Sequence, residues 1–174
     1  MTILFYAAEP AERPLDRPLL DADVRLWCPH TDGLPRRRQR YATNLCWWAA
    51  DRLGAFASHD FTELSLWRGD RMLHRLVVTP RWYRFPFMAL NELQIGALWT
   101  DPAERGRGLA RAAIMEAHRL AAHAARLWYL VDAGNLPSIA LIESCGYRCI
   151  GTGRRTRPLG LTPAGRFRLD QTRT

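Results

Sequence analysis

The sequence predicts an α/β (α+β) fold, a mixed and mostly antiparallel sheet with helices on both faces, and three observations predict it. Two alternating apolar runs joined at Arg68-Gly69-Asp70, "FTELSLWRGDRMLHRLVVTP", read as a β-hairpin. "RLWYLVD" is a continuous apolar run, the signature of a strand covered on both faces, as parallel strands are. Helical patterns stand before it and after it, so strands and helices alternate in the second half of the chain. With 174 residues the chain can bury a proper core as a single domain over residues 1–174.

In order along the chain, residues 1–23 carry Pro10, Pro14 and Pro18 among acidic residues, which predicts an extended, loosely held N-terminal arm. "DVRLW" reads as a short strand. "YATNLCWWAADRLGAF" has a helical pattern closed by Gly54. The hairpin follows, Pro80 ends its second strand, and "RWYRFPFM" is a loop. "NELQIGALW" is the next strand, with Leu93, Ile95, Ala97 and Trp99 expected on one face and Glu92, Gln94, Gly96 and Leu98 on the other. A helix is predicted from about Gly108 to Ala125, its stripe of Ala113, Ile114, Ala117 and Leu120 leaving His118 and His123 at the surface. "NLPSIALIESCGY" is a helix capped by Asn135, with Pro137 in its first turn and Gly146 at its stop. "RCIGTGRR" and "GRFRLD" complete the strands.

All 25 basic residues are arginine, which excludes a lysine Schiff base and the lysine of a Walker phosphate loop. The net charge of +8 favours anionic partners. Nucleic acid is not the expected one, because the arginines are dispersed and no helix carries a base-reading pattern. The four cysteines form no C-x-x-C pair, and Cys28-Pro29-His30 alone is too little for a zinc site, so buried reduced thiols and no metal are expected. The opening apolar run is far shorter than the ~20 residues of a membrane span and no basic leader precedes it, so a cytoplasmic protein without a membrane partner is expected.

Between the apolar strand and the long helix stands "TDPAERGRGLARAAI". Glycines that lead from a strand into a helix let several main-chain N–H groups converge at the positive end of the helix dipole, which makes an anion site. Gly106 and Gly108 would let a phosphate approach the backbone, and Arg105 and Arg107 would add charge-assisted contacts. Turn chemistry alone would also place glycines there. A dinucleotide fold fits less well, since Arg111 occupies the third glycine position and "TDPAE" intervenes after the strand.

"DPAERGRGLARAAI" resembles the pyrophosphate loop of the GCN5-related N-acetyltransferase (GNAT) superfamily, whose pattern of Gln or Arg, two residues, Gly, one residue, then Gly or Ala falls on Arg105, Gly108 and Ala110. "NLPSIALIESCGY" resembles the family's later helix, with Asn135 at its start, Leu141 inside and Gly146-Tyr147 at its end. The resemblance covers about Leu64 to Gly153. It implies splayed central strands and binding of acetyl-CoA as co-substrate, with Leu98, Trp99 and Thr100 along the pantetheine arm. Arg105, Gly106, Arg107, Gly108, Leu109 and Ala110 would lie at the pyrophosphate, with Asn135 and Ser138 nearby. It also implies transfer of acetyl to a primary amine.

A protonated amine must lose its proton before it attacks a thioester. Glu92 stands 13 residues before Arg105, a spacing similar to that of the glutamate base in histone-acetyltransferase-like members, and it is the expected general base, with Gln94 lining the site. The position just after Leu141, where many members place a tyrosine acid, holds Ile142; Ser138, Ser144, Cys145 or water would have to serve instead. The expected acceptor pocket draws on the early helix and on "RWYRFPFM". There Trp82 and Phe85 could stack on a sugar or base and Arg84 could hold a phosphate, with His74 on the preceding strand a further candidate. The same aromatics could equally serve the core or a homodimer contact. The sequence also looks like acetyltransferases found with surface-polysaccharide genes, which suggests a nucleotide-linked amino sugar as small-molecule acceptor. The competing class is a basic nucleotide- or nucleic-acid-binding protein that keeps the fold without turnover.

Overall fold

The computed structural model describes residues 2–10, 21–35, 41–156 and 165–172. Its strands are β1 (Ile3–Ala8), β2 (Asp23–Trp27), β3 (Thr62–Arg68), β4 (Arg71–Pro80), β5 (Glu92–Thr100), β6 (Arg126–Asp132), β7 (Arg148–Arg155) and β8 (Phe167–Thr172). The helices are α1 (Pro29–Asp32), α2 (Tyr41–Arg52), α3 (Leu109–Leu120) and α4 (Leu136–Ser144). The strands form one sheet in the order β2-β3-β4-β5-β6-β1-β7-β8. Every neighbouring pair is antiparallel except β5 and β6, which run parallel with α3 as their crossover.

The two faces carry different cores. Leu64, Leu66, Leu76, Val78 and Ile95 pack against Ala113, Ile114 and Ala117 of α3 and Ile142 of α4. On the other face Phe5, Phe85, Met88 and Trp128 meet, and α2 approaches that side through Trp47 on Phe61 and through Asn44, whose amide donates to Glu63 at 3.4 Å. Helices therefore cover both faces.

Two expectations change. The first residues are not a loose arm: Ile3–Ala8 run antiparallel to both β6 and β7 and sit between them in the sheet. Phe5 faces one core and Tyr6 the other, so "ILFYAA" is a strand covered on both faces, and its apolar run outweighs the prolines that follow. Residues 11–20 of the expected arm lie outside the described residues. His118 is buried, with its ring edge-on to Tyr147 at 5.3 Å, because the turn after α4 covers a flank of α3 that a single apolar stripe leaves open. His123 is exposed as expected, and α3 ends at Leu120 rather than near Ala125.

Candidate functional site

β5 and β6 pair only over Glu92↔Arg126, Leu93↔Leu127, Gln94↔Trp128 and Ile95↔Tyr129. Beyond Ile95 and Tyr129 the two strands part, as splayed strands were expected to. A β-bulge marks the fork on the β4 side: Val77 pairs with Gly96 and Arg75 with Trp99, leaving Ala97 and Leu98 opposite Leu76. Ala97 takes a left-handed φ of 51°, an uncommon conformation for a residue with a side chain. The bulge also overturns the simple alternation along this strand. Leu98, not Ala97, continues the Leu93–Ile95 face and packs on the α3 core. Leu98, Trp99 and Thr100 keep β4 as neighbour and leave their β6 side open.

The chain then turns through a 3₁₀ turn at Pro102–Glu104 capped by Asp101, whose carboxylate accepts from the Ala103 N–H at 3.0 Å. Arg71 grips Asp101 with two nitrogens, at 2.8 and 3.0 Å, and that hydrogen bond holds the Asp101 carboxyl below its ordinary range. Glu104 is buried, accepts from Arg107 at 2.6 Å and Arg68 at 3.3 Å, and lies 3.8 Å from Arg71. Sequence reasoning missed Asp101 and Glu104, although the Glu-x-x-Arg spacing of Glu104 and Arg107 was a signal.

Gly106 and Gly108 adopt φ of 75° and 80°, and the position a Cβ would take on either has no atom within 4 Å. The loop needs glycine for its left-handed turns and leaves open space above its backbone. Gly108 is the N-cap of α3, Leu109 is buried beneath it, and the first-turn N–H groups of a helix have no partner within it. Arg105 and Ala110 flank this opening, Arg105 exposed and Ala110 half-buried. A fork in the sheet, followed along the chain by a glycine loop and a helix N-terminus, is an arrangement able to take an extended ligand that ends in phosphate.

Across the fork, Asn135 caps α4 by accepting the Ser138 N–H at 3.2 Å. Tyr129, the last β6 residue paired with β5, is buried, and burial raises its pKa above the ordinary phenol value. Sequence reasoning missed Tyr129 because its apolar run reads as core.

Three expected site residues are placed elsewhere. Glu92 does not reach the fork: it lies four residues, about 13 Å of strand, before Gly96. Its Oε2 accepts the Ala89 N–H and the Trp128 Nε1–H, both at 2.8 Å, and Arg126 stands 3.7 Å from Oε1. That carboxylate holds the β4–β5 connection and Trp128 in place. His74 is fully buried on the α3 side, with Nδ1 2.8 Å from the Thr100 hydroxyl; burial pushes its pKa down to about 4, helped by the neighbouring Arg75 charge. It cannot touch an acceptor, since its face of β4 is closed by the core. Phe85 is likewise core, stacked on Phe167 at 5.6 Å. Gln94 folds its amide over Gly96 and donates to the Ile95 carbonyl at 2.6 Å, beside the fork.

Trp82 lines an open cavity of about 360 Å³ on the face opposite α3, with Phe56, Tyr83, Arg81 and Arg166. Arg84 lies over the rings of Trp82 and Phe167, and burial together with the Arg155 charge lowers its pKa. The four cysteines form no disulfide; of them only Cys145 is buried, a correction to the expected four buried thiols.

The Acetyltransferase (GNAT) family model matches residues 38–147, which includes the fork, the glycine loop and α4 up to Tyr147. The chain belongs to the GNAT family. Solved GNAT structures share the fold at low identity. A GNAT-family protein from Novosphingobium aromaticivorans aligns over 87% of this chain and 61% of its own, at 19% identity and a TM-score of 0.57. A GCN5-related N-acetyltransferase from Kribbella flavida aligns over 87% and 56%, at 15% identity and a TM-score of 0.55. A tandem GNAT protein from the clavulanic acid biosynthesis pathway aligns over 85% and 50%, at 11% identity and 0.55. The chain thus spans about half to three-fifths of the length of these GNAT structures. No curated protein matches the sequence. Among the described residues no helix is long and apolar enough to cross a membrane.

Proposed function

We propose that this GNAT protein moves the acetyl group of acetyl-CoA to a primary amine. The observation that carries the proposal is the fork after Ile95 and Tyr129, beyond which β5 continues towards the open Gly106–Gly108 backbone and the start of α3. When bound, acetyl-CoA supplies an acyl group activated as a thioester. The main chain of Leu98, Trp99 and Thr100 on the open side of β5 holds the amide-bearing arm, and the N-terminal N–H groups of α3 hold the pyrophosphate with Arg105. Arg107 serves the site through Glu104, which already takes its guanidinium.

A main-chain N–H of the Gly96–Leu98 bulge meets the charge that develops on the acyl oxygen, in a position fixed before reaction. The bound Glu92 carboxylate is not free to act as base, so the amine loses its proton to water at the exposed Ala97 bulge of the fork. Among the candidates for proton donor to the departing thiolate, Ser144 already donates to the Leu141 carbonyl at 2.7 Å, and Ile142 has no proton to give. Tyr129 is the last β6 residue paired with β5, and its phenol carries a proton at neutral pH. We assign it that role.

The acceptor reading is a small amine carrying phosphate, with a nucleotide-linked amino sugar as the class. The cavity beside Trp82 offers Arg81 and Arg166 to a phosphate and Trp82 and Tyr83 to a base or sugar. Because Leu90 lines it at the Glu92 end of β5, an acceptor held there has to span about 13 Å of strand or more to bring its amine to the fork. The test is a panel of amines, including nucleotide-linked amino sugars, with free thiol as the readout. Thiol release that depends on an amine is expected. Its absence across the panel, with salt-sensitive retention of nucleic acid instead, would favour the basic binding protein.

A further inference from the structure

The fold brings together three residues that stand 21 and 8 positions apart in sequence: His30 of α1, Asp51 near the end of α2 and His59 just before β3. One ligand-type atom from each lies within 4.8 Å of the others. We propose that His30, Asp51 and His59 form a binding site for a divalent transition metal ion of the zinc type, which fastens the 51–59 connection to α1.

The site is built around a buried carboxylate. Asp51 is 4% exposed, and its Oδ2 is buried without a hydrogen-bond partner. Leaving a carboxylate oxygen in that state is costly unless a cation satisfies it. The nearest positive candidates are the two imidazoles, with His59 Nδ1 3.0 Å from Oδ1 and His30 Nδ1 3.7 Å from Oδ2. Their rings stack at 3.8 Å with 18° between planes. Two imidazole nitrogens and one buried carboxylate thus converge on one point, a donor set that a single divalent cation can share.

The donor set also selects the metal. Imidazole nitrogen and carboxylate oxygen suit zinc, with bonds of about 2.0–2.2 Å, and tetrahedral ligands at that radius stand about 3.4 Å apart. The measured His–Asp separations of 3.0 and 3.7 Å bracket that value, and because an imidazole coordinates in its ring plane, the two stacked rings rotate apart as they take up the ion. His30 and His59 are 46% and 60% exposed, which gives the ion an entry path and water for a further coordination position. The connection so fastened contains Gly54–Ala57, one wall of the open cavity beside Trp82. Cys28-Pro29-His30 alone carries no such signal, since its metal partners are distant in sequence and only the packing of α1 on α2 assembles them.

The test is zinc titration of the full chain after chelator treatment, by calorimetry with metal content from plasma mass spectrometry. The expected result is one zinc per chain, weakened at least about tenfold in His30→Gln and in His59→Gln and abolished in the double variant. Both residues are half-exposed, so the variants should fold, and thermal melting without metal checks that they do. His123→Gln, which removes the separate His123–Asp60 pair, and Cys46→Ser, which removes the exposed thiol, should bind zinc like the parent. Cobalt in place of zinc should give a visible absorption band that the double variant lacks. No zinc bound by the parent chain, or equal binding by the folded double variant, would overturn the proposal.

Discussion

His74→Leu should make the protein markedly less sensitive to mild acid. His74 has no exposed surface, and burial lowers its pKa from 6.5 to about 4 in the folded state. In the unfolded chain the imidazole regains its ordinary value, so between about pH 6.5 and 4 the unfolded state binds the extra proton. Stability from this group is therefore complete above pH 6.5 and is lost as the pH falls towards 4. A shift of that size corresponds to roughly 3 kcal/mol at about 1.36 kcal/mol per unit. Leucine fits among Leu66, Leu76 and Val78 and cannot titrate. The variant leaves the Thr100 hydroxyl without its imidazole partner, a cost that is the same at both pH values. Urea unfolding of parent and variant at pH 7.5 and pH 4.5 isolates the effect, because the other titrating groups cancel in the double difference. The parent should lose about 2–3 kcal/mol more than the variant between the two conditions. Equal losses would refute a neutral, buried His74.

Gly108→Val forces a branched side chain into a left-handed φ and into the open space above the loop. It should cost about 1–2 kcal/mol in stability and raise the KM for acetyl-CoA far more than that for the amine, as steady-state rates would show. Glu92→Gln keeps the shape but weakens the acceptor for Ala89 and Trp128, so it should lower the unfolding midpoint and change kcat less than tenfold. A loss of ~10²–10⁴ with an altered acidic limb of the pH–rate profile would restore Glu92 as the base. Tyr129→Phe should lower kcat on the order of 10²-fold with little change in acetyl-CoA affinity, and an unchanged kcat at saturation would leave Tyr129 a core residue.

The parts of the fold that were legible are those where one local rule decides. The Gly69-Asp70 turn between alternating runs gave the hairpin, and the Asn135 cap with Pro137 behind it gave α4. The glycine loop was legible because left-handed backbone needs glycine. What stayed hidden depends on partners distant in sequence. "ILFYAA" cannot reveal that β6 and β7 leave a gap for it, and the Ala97 bulge is an extra residue of β5 that only its pairing with β4 makes visible. Glu92 and His74 have residue types suited to catalysis, but burial and the hydrogen bonds of Trp128 and Thr100 assign them to structure. His30, Asp51 and His59 belong to three separate segments, and nothing local to any of them announces the other two.

The central claim is that the fork and the glycine loop form an acetyl-CoA site. Calorimetric titration of acetyl-CoA into the parent chain tests it most directly. One molecule bound per chain, with NAD and ATP giving no comparable heat, is the predicted result. No binding at millimolar acetyl-CoA, with NAD or ATP bound instead, would contradict it.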